Sequence, residues 1–409
     1  MKVWVKLLIG SILGITLGLL VPENPRLMEG LVWLEQFALR VGRYAVIPML
    51  FFLLTIGVYE LRQDRQFWPL VLRTCLMIAG ISLLVIAAGV LVTLVFSPSR
   101  IPILAEEQLE TIGLDIAGNI NGLFPYNMFS ALAGDGIYLF PVCVFAFFFG
   151  VGFSYDRSYS KPAIALVESL SHIFYNIALF FIEILGFVMI VLSCYWAICF
   201  REVLRTDIFI DLILLLGIFA ALLCFGIFPL LLYFIRPKIN PWTVLYGSLG
   251  PAIAAFFSGD INFSLPVLLS HTKENLGVQR KSSAVSLTLL TTFCRAGSAM
   301  VAAIAFIVIF KSYSSLGITA AEVLSISLRA LAISFLLARH PGDGAYTALA
   351  VICLGYGKGF EAGYLILKPL AFYLVAIGAF IDVMIASFAT YVAARLGGFI
   401  EEKSPGHGI

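Results

Sequence analysis

Three short polar clusters interrupt otherwise apolar tracts in the second half of the chain. Ser258-Gly259-Asp260-Ile261-Asn262 breaks the tract at 242–271, Cys294-Arg295-Ala296-Gly297-Ser298 the one at 281–311, and Arg339-His340-Pro341-Gly342-Asp343-Gly344 the one at 320–357, while Asp382 stands alone in the tract at 363–395. Near a bilayer centre a charge costs from ~2.5 kcal/mol on insertion scales to above ~10 in simulations, so each of these groups needs a partner, water or neutralisation. Such a set can do two things. As structure, Asp260, Arg295, Arg339 and Asp343 pair and lock the broken segments together. As function, they surround a small charged solute or carry protons: guanidinium suits bidentate carboxylate recognition, and imidazole, here that of His340, titrates nearest working pH.

The elements that must hold these residues follow from composition. Of the 409 residues 61% are hydrophobic and 12% charged, against roughly 25% charged in a soluble domain. Apolar tracts recur from Val3 to Tyr391, which predicts an all-α polytopic membrane protein. They are continuously apolar and long, unlike the alternating strands of a transmembrane barrel. Simple spans are expected near 3–21, 31–60, 67–97, 122–155, 162–199 and 207–235, and further spans near 281–311 and 363–395. The broken tracts at 242–271 and 320–357 read as re-entrant hairpins, giving eight spans plus two hairpins.

Charge placement gives a topology. With the N-terminus cytoplasmic, Lys2, Lys6, Arg62, Arg65, Arg157, Lys161, Arg280 and Lys281 collect inside, provided that the hairpin at 242–271 enters from the cytoplasm and the one at 320–357 from outside. The acidic link 98–121, with Glu106, Glu107, Glu110 and Asp115, then falls outside. Hairpins entering from opposite faces form an inverted repeat, the sequence pointer to a midplane site in a secondary transporter. Non-helical backbone at that depth must face protein or a polar cavity. Arg40, Arg43, Asp135 and Glu183 in the earlier spans read as headgroup-level or helix-contact residues.

Other classes lack their signatures. The 26 Lys+Arg nearly balance the 24 Asp+Glu, leaving +2 and no basic run for nucleic acid. The seven cysteines lie in apolar tracts without a close Cys-x-x-Cys or His-rich set, so disulfides and structural zinc are not expected. No Walker-type phosphate loop or other enzyme motif is present. The first tract runs into Pro22-Glu23-Asn24-Pro25 without a small-residue cleavage site and reads as a retained helix.

Leu265-Pro266-Val267 followed by Lys273-Glu274-Asn275-Leu276-Gly277-Val278, then Pro341-Gly342-Asp343-Gly344-Ala345 and Ile47-Pro48-Met49-Leu50-Phe51-Phe52, resemble motifs of the dicarboxylate/amino acid:cation symporters, the family that includes the glutamate transporters. The resemblance spans nearly the whole chain. It implies a homotrimer in the cytoplasmic membrane of a bacterium, in which a scaffold (1–66 and 98–206, the latter at the trimer interface) holds a transport domain (67–97 and 207–409) that slides as an elevator, with the second hairpin as extracellular gate.

The signature residues depart from that pattern. The serines of the first hairpin tip fall on Asp260, Ile261 and Asn262. The Asn-Met-Asp-Gly-Thr sodium motif falls on Cys294 to Ser298 and keeps only the glycine and a hydroxyl. The aspartate that receives a substrate amino group matches Asp382; the arginine that pairs with an acidic substrate becomes Ile385, and two later sodium ligands become Ala389 and Ala393. Sodium needs a cage of oxygens, preferably with carboxylate, and these substitutions remove it. Arg295 is therefore expected to stand in the cation region as a tethered positive charge, leaving any coupling to protons through Asp260, Asp343, Asp382 or His340. The substrate site is expected at Asp260, Ile261, Asn262, Arg295, Ser298, Arg339, His340, Gly342, Asp343 and Asp382, with no metal and no other cofactor. The rival expectations are an ordinary sodium-coupled symporter, an uncoupled facilitator, and a sensor or scaffold of the same fold that does not transport.

Overall fold

The computed structural model describes residues 3–22, 24–96, 98–102, 115–155, 157–235, 240–314 and 317–401. Glu106, Glu107 and Glu110 of the acidic link, and Lys2 of the topology argument, lie outside them. Sixteen α-helices run in chain order: α1 (Val3–Leu20), α2 (Pro25–Arg43), α3 (Val46–Gln63), α4 (Phe67–Val95), α5 (Ile116–Leu123), α6 (Phe140–Gly152), α7 (Arg157–Leu204), α8 (Ile210–Ala221), α9 (Phe228–Ile235), α10 (Pro241–Ser258), α11 (Ile261–Glu274), α12 (Arg280–Phe293), α13 (Ala296–Tyr313), α14 (Ala320–Ser334), α15 (Gly344–Tyr356) and α16 (Ala371–Gly397). Among the described residues there is no strand, only an isolated bridge between Val278 and Ile400.

Among the described residues, seven stretches of helix are long and apolar enough to cross a membrane: Val3–Leu20, Pro25–Gln63, Phe67–Val95, Tyr159–Leu204, Ile210–Phe234, Arg280–Tyr313 and Gly363–Gly397. The expected span near 122–155 is not one helix. A 3-10 turn (Met128–Ala133) and a loop precede α6, whose 13 residues rise about 20 Å, short of a ~30 Å hydrocarbon core. The cause is local: Pro125 stops α5, and Gly136 takes a positive φ of 78° before Pro141 restarts the helix. The expected span at 31–60 is likewise two helices, with a turn at Tyr44.

Burial separates lipid-facing from interior helices. Only 28% of the α1 window and 33% of the α4 window are buried, against 94% for Arg280–Tyr313, so α12 and α13 form the centre and α1 and α4 the rim. Leu13, Leu17, Leu72, Leu76, Leu91, Phe187 and Ile218 are exposed, an apolar surface that water would not tolerate at this extent. The chain is a multi-pass membrane protein. α1, α2 and α3 pack on α7, and α6 on α3; α4, α10, α12, α13, α15 and α16 form a second group. α14 begins with a complete capping box, Thr319 and Glu322 each accepting from the other's backbone. Thr319→Ala removes one half, and a loss of about 1 kcal/mol is expected in thermal unfolding.

Two helical hairpins point their turns at each other. α10 ends in Gly259, whose positive φ of 64° turns the chain into Asp260 at the head of α11; the second turn joins α14 to α15 through Leu337–Asp343. The turns touch: the Ile261 amide donates to the Pro341 carbonyl at 3.4 Å.

Candidate functional site

The break between α12 and α13 sets Arg295 as the residue before α13, and 1% of its side chain is exposed, which makes it the largest fully buried side chain. Its Nε donates to Asp382 Oδ2 at 3.0 Å, and its Nη2 to the carbonyls of Pro341 at 3.1 Å and His340 at 3.3 Å. One guanidinium thus joins α13, α16 and the second hairpin turn. Asp382 is fully occupied. Its Oδ1 also accepts from the amides of Gly297 (2.7 Å) and Ser298 (3.3 Å), and its Oδ2 from Ser298 Oγ at 2.6 Å. A carboxylate at the first amides of a helix meets the positive end of its dipole as well as the arginine. The packing around Arg295 Nη2 is tight enough that a Cβ at Gly344 would lie 2.7 Å from it.

Asp260 is buried and caps α11 by accepting the Asn262 amide at 2.8 Å. Its partner is Arg43 at the end of α2, whose Nε donates to Asp260 Oδ2. Of the two readings of Arg43, headgroup-level or helix-contact, the structure shows the second, a contact with the head of α11; Arg40 is exposed, and Glu183 pairs with Lys6. Asn262 turns away from the second hairpin and donates through Nδ2 to the carbonyls of Gly136 (3.1 Å) and Ile137 (2.8 Å). Gly342 sits over the Arg43–Asp260 pair, since a Cβ there would be 3.3 Å from Arg43 Nη2.

The rim is more open. His340 Nδ1 lies 3.3 Å from Asp343 Oδ2, which accepts Thr347 Oγ at 2.9 Å. Arg339 is exposed, its guanidinium 5.9 Å from the Tyr138 ring centre, and among the described residues no carboxylate lies within salt-bridge distance of it. The expected pairing among Asp260, Arg295, Arg339 and Asp343 is thus realised differently: Asp260 takes Arg43, Arg295 takes Asp382, and Asp343 takes His340. All of the expected site residues lie at or beside the two turns, with Asn262 bonded to the Gly136 and Ile137 carbonyls. Arg43 was not assigned to the site, and Gly136 and Ile137 went unread. Arg43 ends an amphipathic helix that also carries Arg40, a pattern shared by a helix end at a membrane surface, and backbone carbonyls leave no sequence signal at all.

Among the described residues no group of three or more His, Cys, Asp or Glu could hold a metal ion. The arrangement holds in small compass two arginine–aspartate pairs, Arg43–Asp260 and Arg295–Asp382, one His340–Asp343 pair, and the exposed Arg339 on the rim. An apolar cavity lined by Cys224, Phe228, Pro229, Met384 and Phe388 shares no residue with this cluster.

The fold and the cluster define a helical multi-pass membrane protein with paired helical hairpins meeting at a buried polar centre. The model of the sodium:dicarboxylate symporter family matches residues 3–396, and the chain belongs to that family. It is similar to the proton/sodium-glutamate symport protein of Bacillus subtilis (strain 168), 27% identical over 183 residues, 42% of either chain. It is also similar to an excitatory amino acid transporter of Caenorhabditis elegans, 29% over 122 residues (30% of this chain, 24% of that one), and to excitatory amino acid transporter 1 of Rattus norvegicus, 29% over 122 residues (30% and 22%). The matched stretches span less than half the length of these relatives.

Proposed function

We propose that the protein is an elevator-type secondary transporter that moves a small organic carboxylate without sodium, proton-coupled or uncoupled. The observation that carries this reading is the Arg295–Asp382 pair in the break between α12 and α13. A guanidinium is permanently charged, so Arg295, at the position of the family's sodium motif, puts a tethered positive charge where that motif would hold a cation. Arg295 and the three other donors leave Asp382 without a lone pair for a substrate ammonium, which favours a carboxylate over an amino acid. Arg339, on the rim, is the cation left to meet it. With both Asp260 and Asp382 held by arginine, the His340–Asp343 pair is the candidate proton carrier. The reading includes hairpins that enter the membrane from opposite faces, a cytoplasmic N-terminus, a homotrimer in a bacterial cytoplasmic membrane, and the division into scaffold (1–66, 98–206) and transport domain (67–97, 207–409).

The test is thermal unfolding of the purified protein against carboxylates and their α-amino counterparts, in sodium and in potassium at equal ionic strength, at acidic and neutral pH. A carboxylate at ~100 times its dissociation constant is expected to stabilise by about 2.7 kcal/mol, equally in both salts. Stabilisation by sodium itself would return ordinary symport. A second reading rests on Arg295 Nη2, whose bonds to the His340 and Pro341 carbonyls pin the second turn: a sensor or scaffold that does not transport. Stabilisation by no solute under any condition would favour it.

A further inference from the structure

We infer that Arg43 of the scaffold and Asp260 of the first hairpin turn form a latch that fixes where the transport domain rests; this rests on the division into scaffold and transport domain proposed above. The surface between the two is largely apolar. Leu7, Ala38, Ile182, Leu185 and Met189 on one side share a buried cluster with Ala254, Phe263 and Val267 of the first hairpin on the other. The Phe263 ring lies on Gly42, where a Cβ would come within 2.1 Å of it. Apolar contact is non-directional and tolerates sliding. Directional bonds across it do not.

The bonds that involve the fully buried Asp260 carboxylate and the buried Asn262 lie at the first turn. Arg43 holds Asp260, and two residues further Asn262 holds the carbonyls of Gly136 and Ile137, which the positive φ of Gly136 lets both face it. On the second turn, Arg339 lies over Tyr138 of the same loop. Other polar contacts across the boundary lie away from the two turns: Lys281 with Asp64, Arg280 with Ser171 and His172, Lys273 over the Tyr175 ring, Ser99 with Asp211, and the Ile101 amide with Ser312. Asp64 is half-exposed, and exposed pairs contribute little. The Asp260 carboxylate is fully buried and the Arg43 side chain 16% exposed, so separating them strands a carboxylate in the interior. Movement of the hairpin past the scaffold requires that step. Asp260 and Asn262, placed by sequence in a solute site, thus do their work against the scaffold. Arg43 is a positioning residue, acting through Asp260.

The experiment needs no substrate. Val267 is buried against the scaffold, so Val267→Cys in the full chain in lipid nanodiscs reports separation through its maleimide labelling rate, read by peptide mass spectrometry. The buried native Cys294 and Cys353 serve as unfolding reporters on the same sample. Arg43→Ala, Asp260→Asn and the double variant Arg43→Gln with Asp260→Asn are each expected to accelerate labelling at 267 by about tenfold or more, with Cys294 and Cys353 unchanged. Asn at 260 still caps α11, and the double variant strands no charge. Arg43→Lys is expected to stay within about threefold of the parent. Equal labelling rates with and without the pair would overturn the latch and leave the moving domain standing. Acceleration that appears equally at Cys294 and Cys353 would report unfolding and overturn it too. No labelling at 267 in any variant would overturn both the latch and the elevator.

Discussion

Arg295→Ala is expected to destabilise the protein by about 3–5 kcal/mol, the usual cost of removing one partner of a buried ion pair. The substitution leaves Asp382, fully buried, with the Gly297 and Ser298 amides and the Ser298 hydroxyl but no full positive charge. Those donors and the α13 dipole offset part of the loss, which favours the lower end of the range. Two further acceptors, the carbonyls of His340 and Pro341, lose their donor and loosen the second turn. Thermal unfolding at neutral pH in potassium measures the cost. Adding Asp382→Asn removes the stranded charge while keeping an acceptor for Gly297, and most of the loss is expected to return. A loss below about 1 kcal/mol for the single variant would mean that the pair does not hold α13 to α16. The single variant also tests the tethered-cation reading: with the guanidinium gone, sodium is expected to stabilise Arg295→Ala more than it stabilises the parent protein.

How far the sequence disclosed this centre depended on the kind of signal. Charges in apolar surroundings are conspicuous, so Asp260, Arg295, Arg339, His340, Asp343 and Asp382 were legible at once, and so was the order of spans around them. Their partners were not. Pairing is a three-dimensional property, and Asp260 lies 217 positions from Arg43, in a different helical group. The segment at 122–155 misled for a related reason. Its mean composition is apolar enough for a span, but Pro125, Gly136 and Pro141 are single residues whose effect on the backbone outweighs any window average. The loop they create is the one that presents its carbonyls to Asn262. What the sequence hid was therefore one connected feature: the face that the early helices turn toward the first hairpin.

Gly297→Ala is expected to cost about 1–3 kcal/mol, although alanine is ordinarily the better helix residue by up to about 1 kcal/mol. A Cβ at 297 would lie 2.7 Å from Ile381 Cβ, 2.8 Å from Ile381 Cγ2 and 2.9 Å from the Asp382 amide nitrogen. The last of these is backbone and cannot rotate away, so α13 and α16 must separate. Separation lengthens the bond from the Gly297 amide to Asp382 Oδ1, now 2.7 Å, and strains the contact with Arg295 at the same carboxylate. Gly80→Ala in α4 provides the control, because nothing lies within 4 Å of a Cβ there, and it is expected to be neutral or stabilising. Equal effects at the two positions would show that the close approach of α13 and α16 is not what fixes Asp382. The expected inequality has a further use. Combined with Arg295→Ala, Gly297→Ala should be much less than additive, since both act on one carboxylate, whereas independent sites would add within about 0.5 kcal/mol.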